Sequence, residues 1–232
     1  MTVPPYLSRA RLRRDASVEA LLPLLLGGER NDKQMGQPGH HLVWSLFTDG
    51  AERRRDFLWR EMKPGTFLIL SARPPRDRHA LFEIDEPKPY APALDVGDRL
   101  RFSLRVNAVV RRRTSPHGHS TKHDIVMDAL HARPDGRRAE HRLTAMQEGG
   151  FAWLERQARK AGFAVRKAEV VIDGYQQHCI PRYGQMAPMS FSTLDFDGTL
   201  EVHDPAALLS GIARGFGAAK AYGCGLMLVR RA

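Results

Sequence analysis

Asp204-Pro205-Ala-Ala-Leu-Leu-Ser-Gly-Ile-Ala-Arg214-Gly215-Phe-Gly217-Ala-Ala-Lys220-Ala-Tyr-Gly223-Cys-Gly225-Leu226 carries three structural instructions in succession. Asp204 is a side-chain acceptor followed by proline, the N-cap and N1 pair that opens a helix over 206–214. Gly215, Gly217, Gly223 and Gly225 then end it, because glycine is costly inside a helix and admits positive φ and close backbone approach. The apolar run 226–229 reads as a last strand. The glycines therefore sit at the C-terminal end of a helix. A P-loop is disfavoured by this order and by the missing GKS or GKT ending, and a dinucleotide fingerprint should follow a strand and open a helix. Two readings of the spacing stay open: a tight connection without a ligand, or an anion cradle in which Lys220 supplies charge.

Outward from this segment, residues 143–161 place Phe151, Leu154 and Ala158 at helical spacing, and 165–172 and 189–202 read as strands, with a further strand near 175–181. The second half is thus α-β-β-α-β. In the first half Tyr6, Ser8, Ala10 and Leu12 alternate with Leu7, Arg9 and Arg11, the pattern of a strand over 5–12. Ser17 caps a helix through 21–26, closed by Gly27-Gly28. A polar loop over 31–39 leads to a short apolar helix over 40–47, and a second helix is expected over 51–62, ended by Pro64-Gly65. Strands follow at 67–71, 80–85 and 98–110. Trp44, Phe47 and Phe57 repeat beside other apolar residues and are expected in the core. Residues 111–142 hold eight Lys or Arg against four Asp or Glu and read as a mobile basic connection, with a short ordered element over 124–130. The economical architecture is α+β in two similar halves, 1–113 and 143–232, joined by 114–142.

Over the 232 residues, 36 Lys and Arg against 26 Asp and Glu leave a formal charge of +10, which favours a polyanionic partner through counterion release. Arginine dominates, in runs such as Arg111-Arg112-Arg113 and Arg137-Arg138, and guanidinium forks suit phosphates. With Lys122 and Arg142 these side chains suit the backbone of an A-form stem, which is read by shape and charge. Cys179 and Cys224 form no CxxC pair, so neither a zinc site nor a disulfide scaffold is expected and a reducing cytoplasm fits. His117, His119 and His123 lack a carboxylate or cysteine at suitable spacing to complete a metal site. No apolar run reaches the roughly 18 residues that span a bilayer, so no membrane is expected.

Four segments occur in order from residue 6 to residue 226: Tyr6-Leu-Ser8, His40-x-x-x-Trp44-x-Leu46-Phe47, Leu104-Arg105-Val-Asn107-Ala108, and the glycine-lysine segment. On these the chain resembles the CasE family of CRISPR RNA endoribonucleases. The glycine-lysine run is shared by related repeat-processing families, and the His-Trp-Leu-Phe segment narrows the choice. The resemblance implies tandem ferredoxin-like, RRM-like domains. It implies cleavage of CRISPR precursor RNA at the base of the repeat stem-loop, without metal ion or other cofactor, leaving a cyclic phosphate. It also implies that the product stays bound, as part of Cascade with its other subunits.

The family's catalytic histidine falls on His40, and the tyrosine often found three residues earlier is Gln37 here. The Gln37 amide can hydrogen-bond a phosphate oxygen but cannot transfer a proton, so the partner of His40 is open, and a noncatalytic subunit that holds a repeat hairpin is the alternative function. His41 competes with His40 by a one-residue slip, and the spacing to Trp44 favours His40. Attack by a 2′-hydroxyl needs a base to take its proton and an acid to protonate the leaving oxygen, and imidazole suits either task. A position opening a helix lowers its pKa. Lys33, His41, Lys122 and Lys220 are candidates, unranked, to stabilise the pentavalent charge. Gly215, Gly217, Lys220 and Gly223 are expected to hold RNA, with Arg111, Arg112, Arg113, Lys122, Arg137 and Arg138 along the stem.

Overall fold

In β1 (Tyr6–Leu12) Ser8 and Ala10 are buried while Arg9 faces solvent, the alternation of a strand with one face on a core. It pairs antiparallel with β3 (Thr66–Ser71), register Tyr6↔Ser71 to Arg11↔Thr66, and β3 pairs with β2 (Phe57–Lys63). The strand order is β2-β3-β1-β4, with β4 (Phe82–Ile84) and the short β5 (Lys88–Pro89) both on the outer side of β1. The computed structural model describes residues 4–15, 38–48, 55–113, 120–131, 140–180 and 188–232. The helix expected after Ser17 lies outside the described residues.

The helix expected over 51–62 is corrected by this sheet, since 57–63 form β2. Phe57, Leu58 and Trp59 are buried in succession because both faces of the strand are covered. Phe57 and Trp59 face α1 (Pro38–Ser45), joining Leu42, Val43, Leu46, Phe47, Ala10, Phe67 and Ile69. Leu58, with its cross-strand partner Leu70, packs into the core of the second half. Aromatic residues suit such a pleated surface, and Pro64-Gly65, with Gly65 at φ 72°, makes a hairpin turn rather than a helix stop. Phe47 and Phe57 stack at 4.3 Å between centroids, so their expected core role holds, while Trp44 packs half-buried at the margin.

β6 (Arg99–Val106) was expected as part of a 98–110 strand ending the first half, and it belongs instead to the second sheet. That sheet has the order β11-β6-β10-β9, with β9 (Phe163–Ile180), β10 (Met189–Val202) and β11 (Met227–Arg231). Leu100, Phe102, Leu104 and Val106 point into a core that β10 completes with Leu194, Phe196 and Leu200. The strand reading stops at Val106 because Asn107 and Ala108 break it, and β7 (Val109–Arg113) starts a separate hairpin with β8 (Ser120–Asp124). The two sheets thus divide between Pro89 and Arg99. Much of the expected mobile connection is ordered: β7, β8 and α2 (Ile125–His131), whose amide at Met127 donates to Asp124 Oδ1 at 2.8 Å.

α3 (Arg142–Lys160) and α4 (Pro205–Arg214) cover one face of the second sheet, burying Trp153, Leu154, Leu208 and Ile212. The Asp204 carboxylate accepts from the Ala207 amide at 2.9 Å with Pro205 at the helix start, as the sequence dictates. β9 runs unbroken through both segments read as separate strands. Its pairing with β10 shifts register opposite Thr193 and Asp195, where Gly174 has φ 62°. Among the described residues no helix is long and apolar enough to cross a membrane.

Candidate active site

The glycine segment turns back across the seam between the sheets. Gly215 and Gly217 have φ 72° and 67°, and a Cβ on Gly217 would lie 2.3 Å from Val106 Cγ2. The Ala218 amide donates to the Asn107 carbonyl at 3.0 Å, and Gly225 donates to the Arg105 carbonyl at 2.8 Å. Asn107 in turn donates its side-chain amide to the Ser192 carbonyl at 2.7 Å. Asn107, in one of the quoted motifs, therefore fastens the glycine segment to β10. A short 3₁₀ turn over Lys220–Tyr222 lies next to Trp59 and His40.

His40 stands on α1 with its Nδ1 2.8 Å from the Ala221 carbonyl oxygen. Trp59 Nε1 donates to the same oxygen at 3.0 Å. A carbonyl only accepts, so Nδ1 carries the proton of that bond and Nε2 of the neutral ring keeps its lone pair. Tyr222 stacks on the imidazole with centroids 5.1 Å apart and planes at 30°, and His41 and Trp44 meet it edge-on at 5.2 and 6.0 Å. Burial holds the His40 pKa below the ordinary histidine value. The Ala221 hydrogen bond opposes this, while His41 and Arg55 add to it. The lowering was expected, although burial rather than the helix end is its main cause.

From Tyr222 a run of rings continues away from His40. Phe191 lies 5.4 Å from Tyr222, and His178 stacks on Phe191 at 4.8 Å with its Nε2 2.9 Å from Thr193 Oγ1. Beside this run opens a cleft of about 180 Å³, lined by Gly39, Trp59, Arg60, Arg105, His178 and Tyr222, among others. Gly39 permits it to adjoin α1, because a Cβ there would come within 2.9 Å of the Trp59 ring.

The structure brings His40, His41 and the glycine segment together. Gly215 and Gly223 pack against Leu58 and Trp59 respectively. Lys220 donates from Nζ to the Arg214 carbonyl at 2.7 Å, satisfying the end of α4, and burial lowers its pKa, with Arg55 and Arg214 adding to the effect. Arg111, Arg112 and Arg113 lie on β7 and Lys122 on β8, all exposed, with Arg111 opposite Lys122 and Arg112 forked onto Asp128 at 3.0 and 2.6 Å. Among the described residues no hydrogen bond, ion pair or ring contact joins these four to α1 or the glycine segment. Arg142 lies over the Tyr175 ring at 5.3 Å. Gln37, Lys33, His117, His119, Arg137 and Arg138 lie outside the described residues. Cys224 is buried, its thiol pushed up to about 12, so it stays protonated.

Sequence reasoning missed Arg60, His178, Thr193 and Phe191. Arg105 and Tyr222 stood inside quoted motifs without an assigned part. No local pattern marks the others, because their significance comes from strands that meet only in the fold.

The fold and site define a class: two antiparallel-sheet halves with a histidine clasped between a helix of one and a glycine segment of the other. The family of CRISPR associated proteins matches over residues 5–231, and the chain belongs to it. Within that family it is of the CasE type. It is 29% identical over 195 residues to the CRISPR-associated endoribonuclease Cse3 of Thermus thermophilus, covering 77% of this chain and 81% of the relative. Identity to the CRISPR system Cascade subunit CasE of Escherichia coli K12 is also 29%, over 199 residues, 81% of this chain and 88% of the relative. The solved structure of Thermus thermophilus Cse3 bound to an RNA representing a pre-cleavage complex is similar with a TM-score of 0.62 and 25% identity, over 98% of this chain and 99% of that one. The fold is the expected α+β tandem of ferredoxin-like domains.

Proposed function

We propose that the chain is an endoribonuclease that cuts the repeat of CRISPR precursor RNA at the base of its stem-loop and keeps the product as a Cascade subunit. The relatives named an endoribonuclease and a Cascade subunit support the substrate and the assembly. The observation that carries the chemistry is the lodging of His40 Nδ1 on the Ala221 carbonyl. It leaves Nε2 of a neutral imidazole free to take the proton of the attacking 2′-hydroxyl, which makes His40 the general base. The oxygen then attacks the adjacent phosphorus, the bond to the 5′ oxygen breaks with that oxygen taking a proton from water, a 2′,3′-cyclic phosphate remains, and His40 returns its proton to solvent. The nucleophile belongs to the RNA, so the step needs positioning and proton transfer and no metal-activated water. Arg111, Arg112, Arg113 and Lys122 are exposed on one hairpin and suit the phosphates of the stem, and Gly215, Gly217, Lys220 and Gly223 take the cleavage end; Arg137 and Arg138, outside the described residues, are assigned to the stem by their charge alone.

The test is a labelled repeat hairpin incubated with the protein in excess chelator. Cleavage at one position with a cyclic-phosphate end is expected, and a 2′-deoxy substitution at the attacking nucleotide should abolish it. Tight, salt-sensitive binding without cleavage would replace this reading by the noncatalytic hairpin-holding one.

The pH profile follows from the lowered His40 pKa. A base works only when neutral, so the single-turnover rate should rise with pH and level off at a midpoint below about 6.5, the ordinary histidine value. Arg55 helps to lower that pKa, so Arg55→Gln should move the midpoint upward. A midpoint unchanged by Arg55→Gln and above that of free histidine would contradict this electrostatic account.

A further inference from the structure

The cleft beside His40 contains a cation that, among the described residues, feels Asp195 and Asp197 only at a distance and has no ion pair of its own. Arg60, on β2, is half-buried and donates from Nη1 to Ser103 Oγ at 2.9 Å. Among the described residues no carboxylate forms an ion pair with it. Its neighbour differs: Arg105 is forked onto Asp195 at 2.8 and 2.6 Å, so that carboxylate is already matched. Glu61, which lines the cleft, accepts from the Gly65 amide through Oε1 at 3.0 Å. Among the described residues, one of the five guanidinium N–H groups of Arg60 is hydrogen-bonded, to Ser103.

A guanidinium drawn partly out of water with most donors uncommitted is costly to hold, and an anion that arrives recovers that cost. Burial indeed depresses the Arg60 pKa, with Asp195 opposing it. A phosphodiester matches the planar fork through paired N–H···O bonds, and it is the anion that the proposed RNA substrate carries. The place also fits. Two glycines flank the opening: Gly39 precedes His40, and Gly223 follows Tyr222, the ring stacked on His40. At about 180 Å³ the cleft suits a sugar-phosphate unit rather than a folded stem.

We infer that this cleft is a phosphate subsite in which Arg60, steadied by Ser103 and backed by the Arg105–Asp195 pair, holds the backbone phosphate next to the scissile one. It rests on the endoribonuclease reading and adds a specific anchor that sets the scissile linkage over His40. The anchor is sequence-independent, since it reads a phosphate and no base edge.

The test uses a repeat hairpin carrying a 2′-deoxy nucleotide at the attacking position, so that binding is measured without cleavage. Single methylphosphonates, which remove one charge each, are placed in turn at the linkages flanking the cut. One linkage should weaken wild-type binding about tenfold when neutralised, the size of one charged hydrogen-bond contact. Arg60→Gln should weaken the unmodified hairpin by a similar factor, make the salt dependence shallower by about one charge, and be insensitive to that same methylphosphonate. Arg60→Lys should keep the salt slope while losing part of the affinity, which separates lost charge from lost folding, and an unchanged melting temperature of Arg60→Gln completes that control. A penalty at that linkage that persists in Arg60→Gln, or no sensitive linkage at all, would overturn the inference. So would inorganic phosphate binding that depends on Arg60 while the linkage scan stays flat, since the cleft would then take a free anion. If wild type cleaves the all-phosphate, all-ribose hairpin and the scan is uncoupled, this subsite alone falls. If wild type neither binds nor cleaves it, the endoribonuclease reading falls, and the subsite with it.

Discussion

Replacing His40 by alanine should lower the single-turnover rate of repeat cleavage by about 10²–10⁴-fold, the usual worth of a positioned general acid or base. In barrier terms this is roughly 3–5 kcal/mol. Hairpin affinity should change little, because the phosphate contacts proposed above use arginine and lysine side chains and not the His40 ring. The prediction is specific to one ring nitrogen. His41 meets the His40 ring edge-on at 5.2 Å and, among the described residues, makes no hydrogen bond to the glycine segment, so His41→Ala should cost far less. A comparable loss in both variants would mean that the two histidines share the chemistry, and full activity in His40→Ala would remove the mechanism. Because Trp59 donates to the same Ala221 oxygen, Trp59→Phe should keep the cleavage site while loosening the ring, a smaller effect in the same direction.

Gly217→Ala should be the most damaging single methyl in the molecule's site. The residue sits at φ 67°, where a side chain costs about 1–2 kcal/mol, and its Cβ would approach Val106 Cγ2 to 2.3 Å and the Asn107 carbonyl to 2.6 Å. Neither neighbour can yield easily: Val106 is in the core, and Asn107 is held by Ser192 and by the Ala218 amide. Overpacking of this kind adds about 1–3 kcal/mol, for a total on the order of 3 kcal/mol. For a chain of this length the melting temperature should fall by roughly 6–12 °C. Cleavage should fall further than stability alone explains, because the Ala221 carbonyl that sets the His40 tautomer moves with the segment. An unchanged melting temperature would show that the glycine segment does not pack on β6 as described.

Both predictions depend on the same seam, and the seam is where sequence reading and structure part company. The start of α4 was readable because its cap is local: Asp204 and Pro205 act on amides within one turn. The same holds for β1, whose alternation is a property of seven consecutive residues, and for His40, whose spacing to Trp44 lies within one short helix. Residues 57–63 were misread because three consecutive buried side chains obey neither period; their burial comes from two different cores on the two faces of β2. β6 was assigned to the wrong sheet because sheet membership is decided by the partner, and β10 lies some ninety positions further along.

The sequence by itself determined the α+β class, the charge that favours a polyanionic partner, the placement of the candidate histidine on a short helix, and a glycine segment unable to remain helical. Tertiary structure alone decided where that segment lies. It brings Ala221 to His40 across 181 positions, and it sets Arg60 in a cleft where, among the described residues, no carboxylate forms an ion pair with it. Propensity and periodicity act over a few residues, whereas a tautomer and an unmatched charge are fixed by what packs against them, and that depends on the whole chain being folded.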